Sequence, residues 1–428
     1  MFDLLALFQV DTHAGEAGLI EQIAALERVK SAAAAGQARA AAALDELRRA
    51  DEAAAGVPGR HRGRGVASEV ALARRDSPAR GGRHLGFAKA LVYEMPHTMA
   101  ALERGVLSEW RATLIVRESA CLDVEDRRLL DAELCADTST LDGKGDARIA
   151  AAAKEIAYRL NAQAVVDRVA KAEADRTVTI RPAPDTMTYV TALLPVAQGV
   201  GVYAALKRAA DTTFDDRSRG QVMADTLVER VTGRPAEQPE PIAVNLVLSD
   251  ETLLGGDNSP AVIAGYGPIP ASVARGLVHA AVTDERSKAT LRRLYRNARA
   301  GSLVAMESRS RCFPTGLARF IGLRDQTCRT PYCDAPIRHL DHSQPHNRGG
   351  PTSAPNGLGL CERCNYAKES PGWHVIAGDE NGTHTAQFIT PTGARYESTA
   401  PPLPGPTPIT VTEIDMRIGI AMPDLHAA

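Results

Sequence analysis

Four cysteines in two short-spaced pairs constrain this 428-residue chain more than any other feature. Cys328 and Cys333 sit in CRTPYCDAPIRHLDH (328–342), and Cys361 and Cys364 in GLCERCNYAK (359–368). Each pair fits a tight turn, with Pro331 and Gly359 supplying bends. Four thiolates are a complete tetrahedral ligand set for Zn²⁺. A redox reading accounts for Cys361-x-x-Cys364 alone and leaves the other pair idle. The spacing therefore predicts a structural zinc held by Cys328, Cys333, Cys361 and Cys364. Cys121, Cys135 and Cys312 have no such partners and read as ordinary thiols.

The rest of the chain is too long for one core, and its length predicts two or three domains. Residues 16–55 are Ala-rich with Leu and Val among charges, which favours one or two long helices. VPGRHRGRG (57–65) breaks them. Helical patterns resume from Ala67, with Ser77-Pro78, Ser108 and Asp123 as starts, and 146–173 reads as another long helix. From residue 177 the pattern changes. TVTIRP (177–182), TMTYVTALLP (186–195) and PIAVNLVLSD (241–250) read as strands, with helices over 198–211 and 217–231 between them. A basic hairpin is predicted over 291–308, another hairpin over 383–397, and a Pro-rich linker leading to a tail.

The fold class expected is thus multidomain. A helical domain spans 1–175, a mixed α+β region 176–308, a small zinc-stapled domain 309–380, and a hairpin, linker and tail 381–428. No basic leader and no run of 18 apolar residues is present, so neither a signal peptide nor a membrane span is predicted. A cytoplasmic protein is expected, in which paired cysteines serve metals rather than disulfides.

Net charge is −2, but residues 284–373 hold 15 Lys/Arg against 8 Asp/Glu. Such a segment suits an anionic partner, or equally a solvated basic face. Arg292, Arg293 and Arg296 are its candidate nucleic-acid contacts.

Between and beside the cysteine pairs lie Asp341-His342, Asn356, Asn365 and Lys368. The steps from His342 are 14 residues to Asn356, 9 more to Asn365, and 3 more to Lys368. This order resembles the HNH (ββα-metal) nuclease domain in its His-Asn-Asn variant. With RSRGQVMADTLVERVTG (217–233) and NRGGPTSAPNGLGLCERCNYAKESPGW (347–373), the chain looks like the actinobacterial HNH endonuclease family of the 13E12 repeat type. The N-terminal part of that family is known only as a domain of unknown function.

The resemblance implies a metal-dependent DNA endonuclease. A phosphodiester hydrolase needs a base, a cation against developing charge, and help for the leaving oxygen. His342 is the base expected, because imidazole titrates near neutrality. Asp341 and Asn365 are hard oxygen donors suited to Mg²⁺ or Mn²⁺. Asn356 is expected to fix the loop that aims His342, and Lys368 to meet a phosphate. Taken singly, each has a plainer reading: Asn356 a turn former, Asn365 a helix cap. His339 and His346 match no motif position. The alternative for the whole chain is a zinc-stapled nucleic-acid-binding module without cleavage.

Overall fold

The computed structural model describes residues 8–10, 15–237, 246–254, 256–263, 266–283, 307–308, 312–380 and 382–403. The chain divides into two compact units, Met1–Ala174 with Tyr366–Gly372, and Asp175–Asn365 with Trp373–Ala428.

The first unit is helical. Helix α1 (Glu16–Ala54) is one uninterrupted helix, and its buried residues, Ser31, Ala34, Ala35, Ala38, Ala41, Ala42 and Asp45, recur at three- and four-residue steps. That stripe of small side chains lets other helices approach closely. Helices α2 (Val66–Ala73), α3 (Pro78–Tyr93), α4 (Pro96–Glu103), α5 (Glu109–Ser119) and α6 (Val124–Cys135) complete a core with α7 (Asp146–Leu160) and α8 (Ala162–Ala174). Ser77, Ser108 and Asp123 each accept a backbone N–H at a helix start, and Pro78 takes the first helical position of α3.

Two buried carboxylates hold this unit from inside. Asp45 accepts from Arg49 Nε at 2.8 Å and Lys89 Nζ at 2.9 Å. Asp131 of α6 accepts from the backbone of His97 and Thr98 and from the Thr98 hydroxyl, at 2.5–2.8 Å. It thereby caps α4, whose own leading residue, Met95, makes no side-chain cap.

The single helix expected over 146–173 is in fact two. Asn161 leaves helical geometry at φ −149°, and its Oδ1 accepts from Ala164 N at 2.9 Å. An asparagine amide satisfies a helix start well enough to break a run whose composition favours helix throughout.

The second unit begins with the antiparallel pair β1 (Thr177–Pro182) and β2 (Thr188–Leu193), in register Thr177↔Leu193 to Pro182↔Thr188. Helices α9 (Val196–Thr212) and α10 (Arg219–Thr232) follow, the latter opened by a Ser218–Gln221 capping box and closed by Gly233 at φ 75°. Strands β3 (Leu246–Val247), β4 (Ala261–Ile263) and β5 (Gly267–Ile269) form a small antiparallel sheet, with helices α11 (Asp250–Leu254) and α12 (Ala271–Thr283) beside it. Residues 241–245 of the strand predicted over 241–250 lie outside the described residues. The described part of that strand is Leu246–Val247, and the chain enters α11 at Asp250. Strand β6 (Glu307–Ser308) pairs with a later strand, while residues 291–306 of the predicted basic hairpin, with Arg292, Arg293 and Arg296, lie outside the described residues.

Helix α13 (Thr315–Asp325) leads into the cysteine region. There β7 (His339–His342) runs antiparallel to β9 (Gly357–Leu360), and the connection carries β8 (Thr352–Ser353), partner of β6. Helix α14 (Glu362–Lys368) leaves β9, and a meander of β10 (His374–Glu380), β11 (Thr383–Ile389) and β12 (Arg395–Thr399) covers the cluster. On β11 the buried residues alternate, His384, Ala386 and Phe388 facing inward. The hairpin predicted over 383–397 is the β11–β12 pair, turning at Gly393 with φ 81°. The tail beyond residue 403 lies outside the described residues.

Helix packing in the first unit makes a paired test. A Cβ on Gly81 of α3 would come 1.9 Å from the Ala67 carbonyl, whereas one on Gly86 of the same helix meets nothing within 4 Å. Gly81→Ala should therefore destabilise the helical unit by roughly 1–3 kcal/mol in denaturant titration. Gly86→Ala should be neutral or stabilising, by at most about 1 kcal/mol.

Candidate metal centre

The four cysteines meet. Their Sγ atoms all lie within 4.8 Å of one another, and every one of these side chains is buried. Cys333 Sγ is 3.8 Å from Cys361 Sγ and 3.6 Å from Cys364 Sγ. A tetrahedron with Zn–S bonds near 2.3 Å has edges of about 3.8 Å, so the spacing is that of metal ligands and far longer than a disulfide.

Local backbone explains the convergence. Cys328 N–H donates to Ala335 O and Cys333 N–H to Thr330 O, closing the first turn, with Tyr332 held at φ 62°. Cys361 follows the last residue of β9, and Cys364 N–H points back at Cys361 Sγ at 3.5 Å. Packed this closely the thiols divide their protons unevenly. Cys361 is pulled well below the ordinary thiol range, chiefly by Cys328, while Cys364 is pushed far above it, again chiefly by Cys328. Four thiolates can coexist here only around a cation. The residues present fit a zinc ion.

A buried polar network supports the cluster from the side. Asp325 accepts from Arg324 Nε at 2.7 Å, from Arg329 Nη1 at 3.1 Å and from Gly359 N at 2.8 Å. Arg324 also donates to Ala354 O and Gly357 O, at 2.5 and 2.6 Å. Arg329, only 2% exposed, donates to Ser398 O at 2.7 Å and to His384 O at 3.3 Å. His384 Nε2 donates to Pro355 O at 2.9 Å. Burial, helped by the charge of Arg324, lowers the His384 pKa from 6.5 to about 4.

The predicted site residues distribute as follows. Asp341 and His342 lie on β7, opposite Leu358 and Gly357. Asn356 immediately precedes Gly357 and bridges the loop. Its Oδ1 accepts from Gln344 N at 2.8 Å, and its Nδ2 donates to Gln344 O at 3.1 Å and Pro351 O at 2.7 Å. Its own carbonyl accepts from Ser343 N at 2.7 Å, next to His342. Gly350 is required in this loop, since a Cβ there would lie 1.9 Å from Gln344 O.

His342 is 7% exposed; its Nε2 is 2.9 Å from Thr352 Oγ1, and its ring lies 4.5 Å from that of Phe313. The His346 ring is edge-on to it at 5.7 Å. Asn365 lies inside α14, past the capping position, so the helix-cap reading fails. Its Oδ1 is buried and receives no hydrogen bond among the described residues. Lys368, one turn on, is buried, and its Nζ donates to Glu369 at 2.6 Å.

Sequence reasoning missed Thr352, Arg324, Asp325, Arg329 and His384. The only signal for the buried network was an Arg-Asp dipeptide shortly before the first cysteine and an arginine directly after it.

The structure thus defines a helix-rich protein with a mixed α/β remainder and a four-cysteine cluster that could hold a metal ion. The chain belongs to the family of the domain of unknown function DUF222, which it matches over residues 23–312. The cysteine centre lies beyond that range. No curated protein and no solved structure matches the chain. No helix among the described residues is long and apolar enough to cross a membrane.

Two outcomes follow for this centre. Protein purified without chelator should carry about one zinc per chain by metal analysis, and Cys361→Ser should lose it and melt the cysteine region while leaving the helical unit folded. Separately, the unfolded chain takes up a proton at His384 between pH 6.5 and about 4, where folded His384 stays neutral. Stability should fall across that window as pH drops, by on the order of 3 kcal/mol, and be unaffected above it. His384→Gln should remove this part of the pH dependence, measured as the wild-type-minus-variant difference in unfolding free energy at fixed zinc.

Proposed function

We propose that this chain is a metal-dependent HNH endonuclease that hydrolyses DNA phosphodiester bonds. Support begins with topology: strand β7 carries His342, the loop entering its partner β9 carries Asn356, and helix α14 carries Asn365, with the four cysteines clustered beside them. The observation that carries the reading is the buried Oδ1 of Asn365, which has no partner among the described residues. An amide oxygen so placed costs roughly 1–3 kcal/mol unless something binds it. A module that only grips DNA has no use for it; a cation-binding site does.

In this reading Asp341 and Asn365 hold a divalent cation, Mg²⁺ or Mn²⁺, whose charge would offset that developing on the phosphate. His342 takes the proton from the attacking water. Asn356 fixes the loop behind His342, and Thr352 Oγ1 orients the imidazole through Nε2. Lys368 would have to exchange Glu369 for a phosphate oxygen to make the contact expected of it.

The competing reading, a zinc-stapled DNA-binding module without cleavage, draws support from the burial of His342. Plasmid DNA incubated with zinc-loaded protein and Mg²⁺ or Mn²⁺ decides between them. Cleavage is expected, and His342→Ala should slow it by on the order of 10²–10⁴ while leaving zinc content and DNA affinity unchanged. Asn365→Ala should instead raise the Mg²⁺ concentration needed. Salt-sensitive DNA binding by the wild type with no cleavage under either metal would favour the binding module.

A further inference from the structure

We infer that the helical unit carries its own nucleic-acid backbone contact, a basic face formed by the 60–64 loop and helices α2 and α3. Charge in this unit is segregated. Residues 57–89 hold 8 Lys/Arg against 2 Asp/Glu, whereas the rest of 1–174 holds 16 against 24. The segment is also continuous in space. Gly81 of α3 presses on Ala67 of α2, and Gly63 of the loop and Lys89 of α3 both lie against Asp45. The loop and the two helices therefore run side by side.

Several of these cations have inward tasks: Arg62 donates to Val57 O, Arg74 pairs with Glu109, and Lys89 with Asp45. Arg64, Arg75 and Arg83 do not. All three are exposed and have no ion-pair or hydrogen-bonded side-chain partner among the described residues. Arg64 and Arg75 bracket α2, whose eight residues span about 12 Å. Arg75 holds φ 54°, a left-handed position that glycine would occupy more cheaply.

Duplex DNA presents one negative charge per roughly 1.7 Å of axis, so a helix pair this long faces several phosphates. Arginine forks suit phosphate oxygens, and no apolar surface is needed for such contact. The face positions DNA without reading its sequence. The choice of DNA as ligand rests on the nuclease reading above.

The test uses the full zinc-loaded chain and a fluorescent DNA duplex, with Kd measured across salt concentrations. Combined Arg64→Gln, Arg75→Gln and Arg83→Gln should weaken binding and reduce the slope of log Kd against log salt by about 2–3. A control removing the same charge elsewhere on the unit, Arg104→Gln, Arg148→Gln and Lys171→Gln, should leave the slope unchanged. An unaltered slope in the first variant, an equal loss in the control, or no DNA binding by the wild type would each overturn the inference. The nuclease reading is judged apart from these, by His342-dependent cleavage at protein concentrations that saturate the DNA.

Discussion

The carboxylate of Asp325 is the interaction on which the C-terminal region depends. It is fully buried, and a buried charge persists only when paired and hydrogen-bonded. Here two guanidiniums and the Gly359 N–H meet that need, and each belongs to a different piece of the fold. Arg324 lies in the last turn of helix α13, Arg329 in the first cysteine turn, and Gly359 on β9. Through Arg329 the network reaches Ser398 on β12 and His384 on β11. Removing the carboxylate would strand two buried cations, a loss on the order of 3–5 kcal/mol.

Strand β9 is consequently held at both ends. Arg324 grips the Gly357 carbonyl, Asp325 the Gly359 amide, and Cys361, a member of the four-cysteine cluster, follows Leu360. A strand so fixed sets the register of its partner, placing His342 opposite Gly357 and Asp341 opposite Leu358. One residue of slip would reverse which of them faces the core. The four-cysteine cluster and the Asp325 network are two clamps on one strand, and the position of His342 follows from both.

What the sequence made legible were local signals with a fixed offset. The cysteine pairs, the caps at Ser77, Ser108 and Asp123, and the turn at Gly393 all declare themselves within a few residues. Asn161 did not, because one capping amide is invisible in a run of strong helix formers. Partnerships across long sequence gaps were equally hidden: His384 meets Arg329 and Pro355 from a strand whose pattern says only that it alternates. Within the site, Asn356 and Asn365 look alike in sequence yet have opposite fates. Every amide atom of the first is satisfied by the loop, while the oxygen of the second has no partner among the described residues. Composition cannot separate an asparagine whose amide the fold satisfies from one whose amide it does not; hydrogen-bond accounting can.

The same accounting changes what net charge means. Arg324 and Arg329 both count toward the basic balance of residues 284–373, yet both are spent on Asp325 in the interior and offer nothing to a polyanion. Lys368 is likewise buried against Glu369. The helical unit shows the converse: an overall acidic balance conceals exposed arginines around one helix pair that have no side-chain partner among the described residues. A polyanion senses the charges that remain hydrated and unpaired, not the formal sum. Hydrated, unpaired cations are therefore to be sought around α2 and α3 as well as in the segment whose sequence is the more basic.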